Sequence, residues 1–205
     1  VYGSATPREM EALAATCGLL PGLVNQLSGF SSAEMQELRA GIDPLGDIRE
    51  LVRSTLADEV PVSLKDGGVI RSGFNAEVDE LRDIVHGGKG VLAGIEAKLK
   101  EETGIRTLKI GYNKVFGYYI EVSKSFVSQV PEGFIRKQTL TTGERYITEE
   151  LKQLEHRILG ASERLVVLER ELFDGLLRAV SAELPRIQRT AAYIARLDVL
   201  ASLAQ

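Results

Sequence analysis

The sequence predicts a mainly α protein with an inserted small antiparallel β domain: a helical core, two long antiparallel helices, and a roughly four-stranded module at their tip. The helices come from two heptad seams. Phe74, Val78, Leu81, Val85, Gly88, Leu92, Ile95 and Leu99 step alternately by four and three, and Leu151, Leu154, Ile158, Ala161, Leu165, Leu168, Leu172 and Leu176 keep nearly the same rhythm. The module comes from alternation: Leu108, Ile110 and Tyr112 share one face of a strand, and Phe116, Tyr118, Ile120 and Val122 repeat the pattern after a polar turn at Asn113-Lys114. The core comes from capped amphipathic stretches before the first seam and after the second.

In chain order, Thr6-Pro7-Arg8-Glu9 reads as a capping box, and the helix it opens is expected to run toward Leu20 before Pro21-Gly22 stops it. Ser31 or Ser32 caps a second helix through Leu38, closed by Gly41. Asp43-Pro44 starts a third through Ile48, Leu51, Val52 and Leu56. Pro61 to Gly73 holds four glycine or proline residues and reads as a connector, with a short strand pair around Leu64 and Val69-Ile70. In the antiparallel register of the two seams, Leu99 meets Leu151, Ile95 meets Leu154, Leu92 meets Ile158, Val85 meets Leu165, Leu81 meets Leu168, Val78 meets Leu172 and Phe74 meets Leu176. Gly88 then faces Ala161 and allows close approach. The arm so formed is about 30 residues, or about 45 Å, long. Within the insert, Phe134 to Leu140 forms a third strand, leading through Thr141-Thr142-Gly143 into a fourth at Arg145-Tyr146-Ile147. After Pro185 a last helix, with Ile187, Ala191, Ile194, Leu197 and Leu200 on one side, should return to the first three.

The 205 residues, 44% of them hydrophobic, suffice for a core with an appended module. The single Cys17 cannot form an internal disulfide and reads as a small core residue. With no signal or transit peptide and no run of about 18 apolar residues, an intracellular soluble protein is expected. The start at Val1 and the end on DVLASLAQ suggest an excised fragment. A net charge of -4 argues against a generally basic surface, yet its distribution is uneven. From Gly104 to Ile147, Arg106, Lys109, Lys114, Lys124, Arg136, Lys137 and Arg145 face only Glu121, Glu132 and Glu144, a local +4 against -8 elsewhere. Scattered solvated charges on edge strands are the alternative.

Enzyme chemistry finds no purchase. His86 and His156 lie about a turn out of step on different long helices and read as surface residues. Gly87-Gly88-Lys89-Gly90 fails the phosphate-loop pattern, because Asp83 stands where its first glycine belongs and Gly90 where its Ser/Thr belongs. Glu149 and Glu150 complement a helix dipole. The β module, by contrast, supplies cations and small donors. Lys114, Lys124, Arg136, Lys137, Thr141 and Thr142 are the candidate DNA-backbone contacts, with Ser123 and Ser125 beside Lys124. Arg136 and Lys137 are adjacent in a strand and should point to opposite faces. Such contacts are sequence-independent and salt-sensitive. Tyr112, Tyr118, Tyr119 and Tyr146 are candidates for base stacking, although Tyr112 and Tyr118 alternate with aliphatics as packed sheet residues do.

TLKIGYNKVFGYYIEVSKS and FIRKQTLTTGERYITEELKQLEHRILGASERLVVLE resemble the MutS family of bacterial DNA mismatch-repair proteins, at its clamp and the lever helices that hold it. VYGSATPREM, DGGVIRSGFNAEVDELR and ARLDVLASLA are similar to the surrounding core, so the resemblance covers essentially the whole chain. It implies residues 1–103 as core and first lever helix, 104–147 as the inserted β clamp, and 148–205 as second lever helix and return to the core. It implies a homodimer of the parent whose clamps cross over duplex DNA, a MutL-type partner, and a cytoplasmic, nucleoid-associated location. The family's mismatch-reading Phe-x-Glu element and its Walker A loop, with ATP and Mg, belong to domains this sequence lacks, so no cofactor and no catalysis are expected here. Many members carry Asn-Ala where Thr142-Gly143 stands; a Thr hydroxyl can still donate to a phosphate. The rival reading is a non-catalytic helical dimerisation module.

Overall fold

The computed structural model describes residues 5–115 and 117–203, without the side chain of Lys89. Phe116, assigned above to a strand, and the VYGS that opens the first core motif lie outside the described residues. The chain divides into two compact units, one from the described parts of Val1–Val78 and Val166–Gln205, the other Asp79–Leu165.

The first unit is helical. Helix α1 (Pro7–Leu27) opens on the expected box: the Thr6 hydroxyl accepts from the Glu9 amide and the Glu9 carboxylate takes the Thr6 amide. It does not stop at Pro21. Leu23 and Val24 pack against the core and Leu27 is buried, so continuing the apolar face outweighs the roughly 3 kcal/mol that an interior proline costs. Helix α2 (Ala33–Gly41) takes Ser32 as its cap. Helix α3 (Gly46–Thr55) starts later than Asp43-Pro44, because Asp43 Oδ1 accepts from the Leu45 amide at 3.0 Å and turns the chain first, with Leu45 left-handed at φ 50°.

The strand pair in the connector also differs from expectation. Ile70 bridges to Leu56, flanked by Ala57 N to Val69 O at 2.9 Å and Arg71 N to Thr55 O at 2.8 Å, while Leu64 lies in a short 3₁₀ turn, Leu64–Asp66. The buried Glu169 carboxylate caps this loop, accepting from Gly68 N at 2.7 Å and Val69 N at 3.3 Å. The core of the unit joins Met10, Ala14, Cys17 and Leu20 to Ile48, Val52, Phe173 and Leu177. The last helix, α6 (Leu184–Leu203), does return: Ile187, Tyr193, Ile194 and Leu197 pack on this core, and Arg186 reaches Asp43 at 2.9 Å and Asp47 at 2.7 Å. That guanidinium holds both carboxyls below the usual carboxylate range.

The second unit carries most of helix α4 (Ala76–Thr103), four strands, and the start of helix α5 (Glu149–Ala182). The strands are β1 (Lys109–Asn113), β2 (Gly117–Ser123), β3 (Ile135–Thr139) and β4 (Gly143–Ile147), antiparallel in the order β1-β2-β4-β3. A short 3₁₀ helix, Lys124–Gln129, links β2 to β3. Ile95 and Leu99 of α4, Leu151 of α5, and Ile120, Val122, Tyr146 and Ile147 of the sheet form one core. Within this unit α4 and α5 run antiparallel, with Lys98 Nζ 3.3 Å from Glu150 Oε2. The expected level of Gly88 is corrected: its neighbour is Ile158, not Ala161, because the large side chain fills the space that the glycine leaves. His86 and His156 are exposed, and no described helix is long and apolar enough to cross a membrane.

Candidate nucleic-acid interface

Strand pairing decides which basic residues meet. Ser123 pairs with Gly143, and the Lys124 amide donates to the Thr142 carbonyl at 3.0 Å, so Lys124, Thr141 and Thr142 lie together at one end of the sheet, all exposed. Gly143 is required there, since a Cβ on it would run into the Val122 carbonyl oxygen. The segment entering β1 reaches the same end: Ser123 Oγ donates to Thr107 Oγ1 at 3.4 Å, with Arg106 next to it and exposed. The family motif did not single out Arg106; the β1–β2 register alone places it here, since Lys109 pairs with Glu121. Lys114 is exposed in the β1–β2 turn, where Asn113 Oδ1 accepts from Val115 N at 2.8 Å. The length of β2 separates it from Lys124, about 20 Å at 3.3 Å per residue. The six candidates therefore do not form one cluster.

Arg136 and Lys137 lie on the edge strand β3, both exposed. Arg136 pairs with Tyr146 and Gln138 with Arg145, so the register slips between them and Lys137 occupies a bulge. The simple opposition of Arg136 and Lys137 expected from alternation does not apply across a bulge, where one residue has no cross-strand partner. Arg136 is not a free cation either. Its Nη1 lies 3.2 Å from Glu144 Oε1, while the other oxygen of that carboxylate accepts from the Tyr146 hydroxyl at 2.5 Å. The tyrosine hydroxyl, then the arginine, hold the Glu144 carboxyl below its usual range. Burial, reinforced by that hydrogen bond, pushes the Tyr146 phenol up to about 12.

Arg145 is a second anchored cation. Its Nε lies 3.0 Å from Glu121 Oε2, its Nη1 donates to Gln138 Oε1 at 3.0 Å, and its guanidinium carbon stands 4.1 Å from the centre of the Tyr119 ring. That ring crosses Gly111 on β1, where a Cβ would come within 2.8 Å of its Cζ. The four tyrosines are engaged within the sheet to different degrees, and Tyr112 stays exposed. Tyr119 is covered by Arg145, Tyr146 is buried against Phe134 with ring centres 6.0 Å apart, and Tyr112 and Tyr118 pack on each other at 5.0 Å. With Arg136 and Arg145 committed to carboxylates, the cations of residues 104–147 without an ion-pair partner among the described residues are Arg106, Lys109, Lys114, Lys124 and Lys137. Exposed cations without a carboxylate partner are chemically suited to phosphate oxygens. No three His, Cys, Asp or Glu side chains among the described residues gather as a metal site.

Residues 73–164 match the family model described as MutS family domain IV. The whole chain is 49% identical over 204 residues to a DNA mismatch repair protein MutS of Caldicellulosiruptor bescii, covering 24% of it. It is 48% identical over 204 residues to that of Desulforamulus reducens, again 24% of the relative, and 48% identical over 203 residues, 99% of this chain, to that of Symbiobacterium thermophilum, 23% of the relative. The chain thus spans about a quarter of the length of the curated relatives it matches.

Proposed function

Because the chain belongs to the MutS family of DNA mismatch-repair proteins, we propose that it supplies a sequence-independent grip on duplex DNA. The observation that carries this reading is the local +4 of residues 104–147, with Lys124, Thr141 and Thr142 at one end of its sheet. Lys124 and Lys137 attract the phosphates, the Thr141 and Thr142 hydroxyls donate to them, and Lys114 and Arg136 extend the contact along the sheet. In this reading residues 104–147 are the clamp, residues 1–103 hold core and first lever helix, and residues 148–205 the second lever helix and the return to the core. The lever helices pass the clamp's position to the rest of the parent. Mismatch reading, ATP hydrolysis with Mg, homodimer formation and any MutL-type contact fall to the parent protein, and this segment uses no cofactor of its own. A DNA-directed role places it in the cytoplasm at the nucleoid.

Fluorescence anisotropy with a labelled duplex at low salt tests the grip. Binding in the roughly 10⁻⁴ to 10⁻⁶ M range, competed by any duplex sequence and weakened by salt, is expected. Replacing Lys124, Arg136 and Lys137 together by Glu should abolish it with an unchanged circular-dichroism spectrum. Undiminished affinity in that variant refutes the assignment and favours the dimerisation module.

A further inference from the structure

Two backbone amides of the β1–β2 hairpin are left open by strand pairing, and each is taken by a carboxylate from a different long helix. β1 is an edge strand, and its Ile110 amide donates to Glu96 Oε2 of α4 at 2.9 Å. β4 pairs with β2 only over Ile120–Ser123, so Tyr118 lies beyond its reach, and the Tyr118 amide donates to Glu155 Oε1 of α5 at 3.2 Å.

Both seats are built. Lys100 Nζ holds the other Glu96 oxygen at 2.6 Å, and the Ile110 amide, then Lys100, lower the Glu96 carboxyl below its usual range. Glu155 occupies the space left by Gly117, whose φ of +74° and missing Cβ are both needed: a Cβ there would overlap the carboxylate. Apolar packing of Ile120, Val122 and Tyr146 holds the sheet on the helices through contacts that are not directional. Hydrogen bonds at two separated points of the hairpin, one from each helix, are directional and resist rotation.

We propose that Glu96 and Glu155 are positioning residues that hold the sheet at one angle on the two helices and so aim its Lys124 end at the DNA backbone; the aiming rests on the function proposed above. Motion of either helix is then communicated to the hairpin through a hydrogen bond as well as through side-chain contact.

The test uses the full chain with spin labels at Ala93→Cys and Ser128→Cys, both exposed and outside the seats, in a Cys17→Ala background. The distance distribution between the labels is measured by pulsed electron spin resonance. Glu96→Ala/Glu155→Ala should broaden it at an unchanged circular-dichroism spectrum, while Glu96→Gln/Glu155→Gln, which keeps one acceptor oxygen at each seat for the Ile110 and Tyr118 amides, should leave it narrow. Duplex affinity should fall about three- to tenfold in the alanine pair and return in the glutamine pair. An unbroadened distribution in the alanine pair overturns the proposal, and so does a broadened one with undiminished duplex affinity. If the chain with Glu96 and Glu155 intact binds no duplex, the DNA grip fails, and the label widths alone still decide whether the carboxylates orient the sheet. Should the alanine pair not fold, the single variants Glu96→Ala and Glu155→Ala are read by the same criteria.

Discussion

A Cβ on Gly88 would lie 2.5 Å from Cδ1 of Ile158, so the side chain of one long helix occupies the space that a side chain on the other would need. Gly88 is itself buried, whereas Gly94 on the same helix is exposed and has nothing within 4 Å of its Cβ position. The two glycines therefore predict opposite outcomes. Gly94→Ala should stabilise by up to about 1 kcal/mol, the helix-propensity gain. Gly88→Val should destabilise by about 1–3 kcal/mol through overpacking against Ile158. Urea unfolding followed by circular dichroism separates them.

Arg145 joins three strands: it is on β4, pairs with Glu121 on β2 and donates to Gln138 on β3, while its guanidinium covers Tyr119. Arg145→Ala should lower the stability of the sheet by about 1–3 kcal/mol, leaving its partners poorly satisfied. Arg145→Lys should recover little, since an ammonium cannot serve both oxygens in one plane and stack on a ring. Amide exchange along β2 and β4 reads the difference. Duplex binding lost only in proportion to the unfolded fraction would mark the residue as structural.

Tyr146 predicts an alkaline transition. Its phenol titrates near 12 in the folded state, above the ordinary value of about 10. The fold favours the neutral form, so the associated stability is fully present below about pH 10 and is lost as pH rises through about 12. Tyr146→Phe stays neutral in both states and should lose stability less steeply over that window. Denaturant midpoints of the two proteins at matched pH, with absorbance titration of the phenolates, check this.

Glu144 opposes the proposed grip by holding Arg136 at 3.2 Å. Glu144→Gln keeps an acceptor for Tyr146 while releasing the guanidinium, so duplex affinity at low salt should rise severalfold, with a steeper salt dependence. Lys124→Ala, which removes a cation without an ion-pair partner, should weaken binding evenly across sequences and reduce the salt slope by about one. Equal losses at Arg136→Ala and Lys124→Ala would contradict the view that Glu144 already neutralises much of the arginine.

The sequence by itself determined the elements and their faces. The Thr6–Glu9 box, the heptad steps and the alternation through Ile120 and Val122 act over a few residues, so local chemistry specifies them and the folded chain keeps them. The tertiary structure decided what meets what. Helix α1 passes through Pro21 because Leu27 finds a core to enter; Ile70 bridges to Leu56 because the loop capped by Glu169 brings it there; and Ile158, not Ala161, fills the space at Gly88. The candidate interface divides the same way. Its excess of cations is a matter of composition, but the pairing of Arg136 with Glu144, the meeting of Lys124 with Thr142, and the grip of Glu96 and Glu155 on the hairpin join residues from different elements. Periodicity records which side of an element is apolar and says little about which polar side chain stands opposite, so those contacts exist only once the strands have paired and the sheet has packed on its helices.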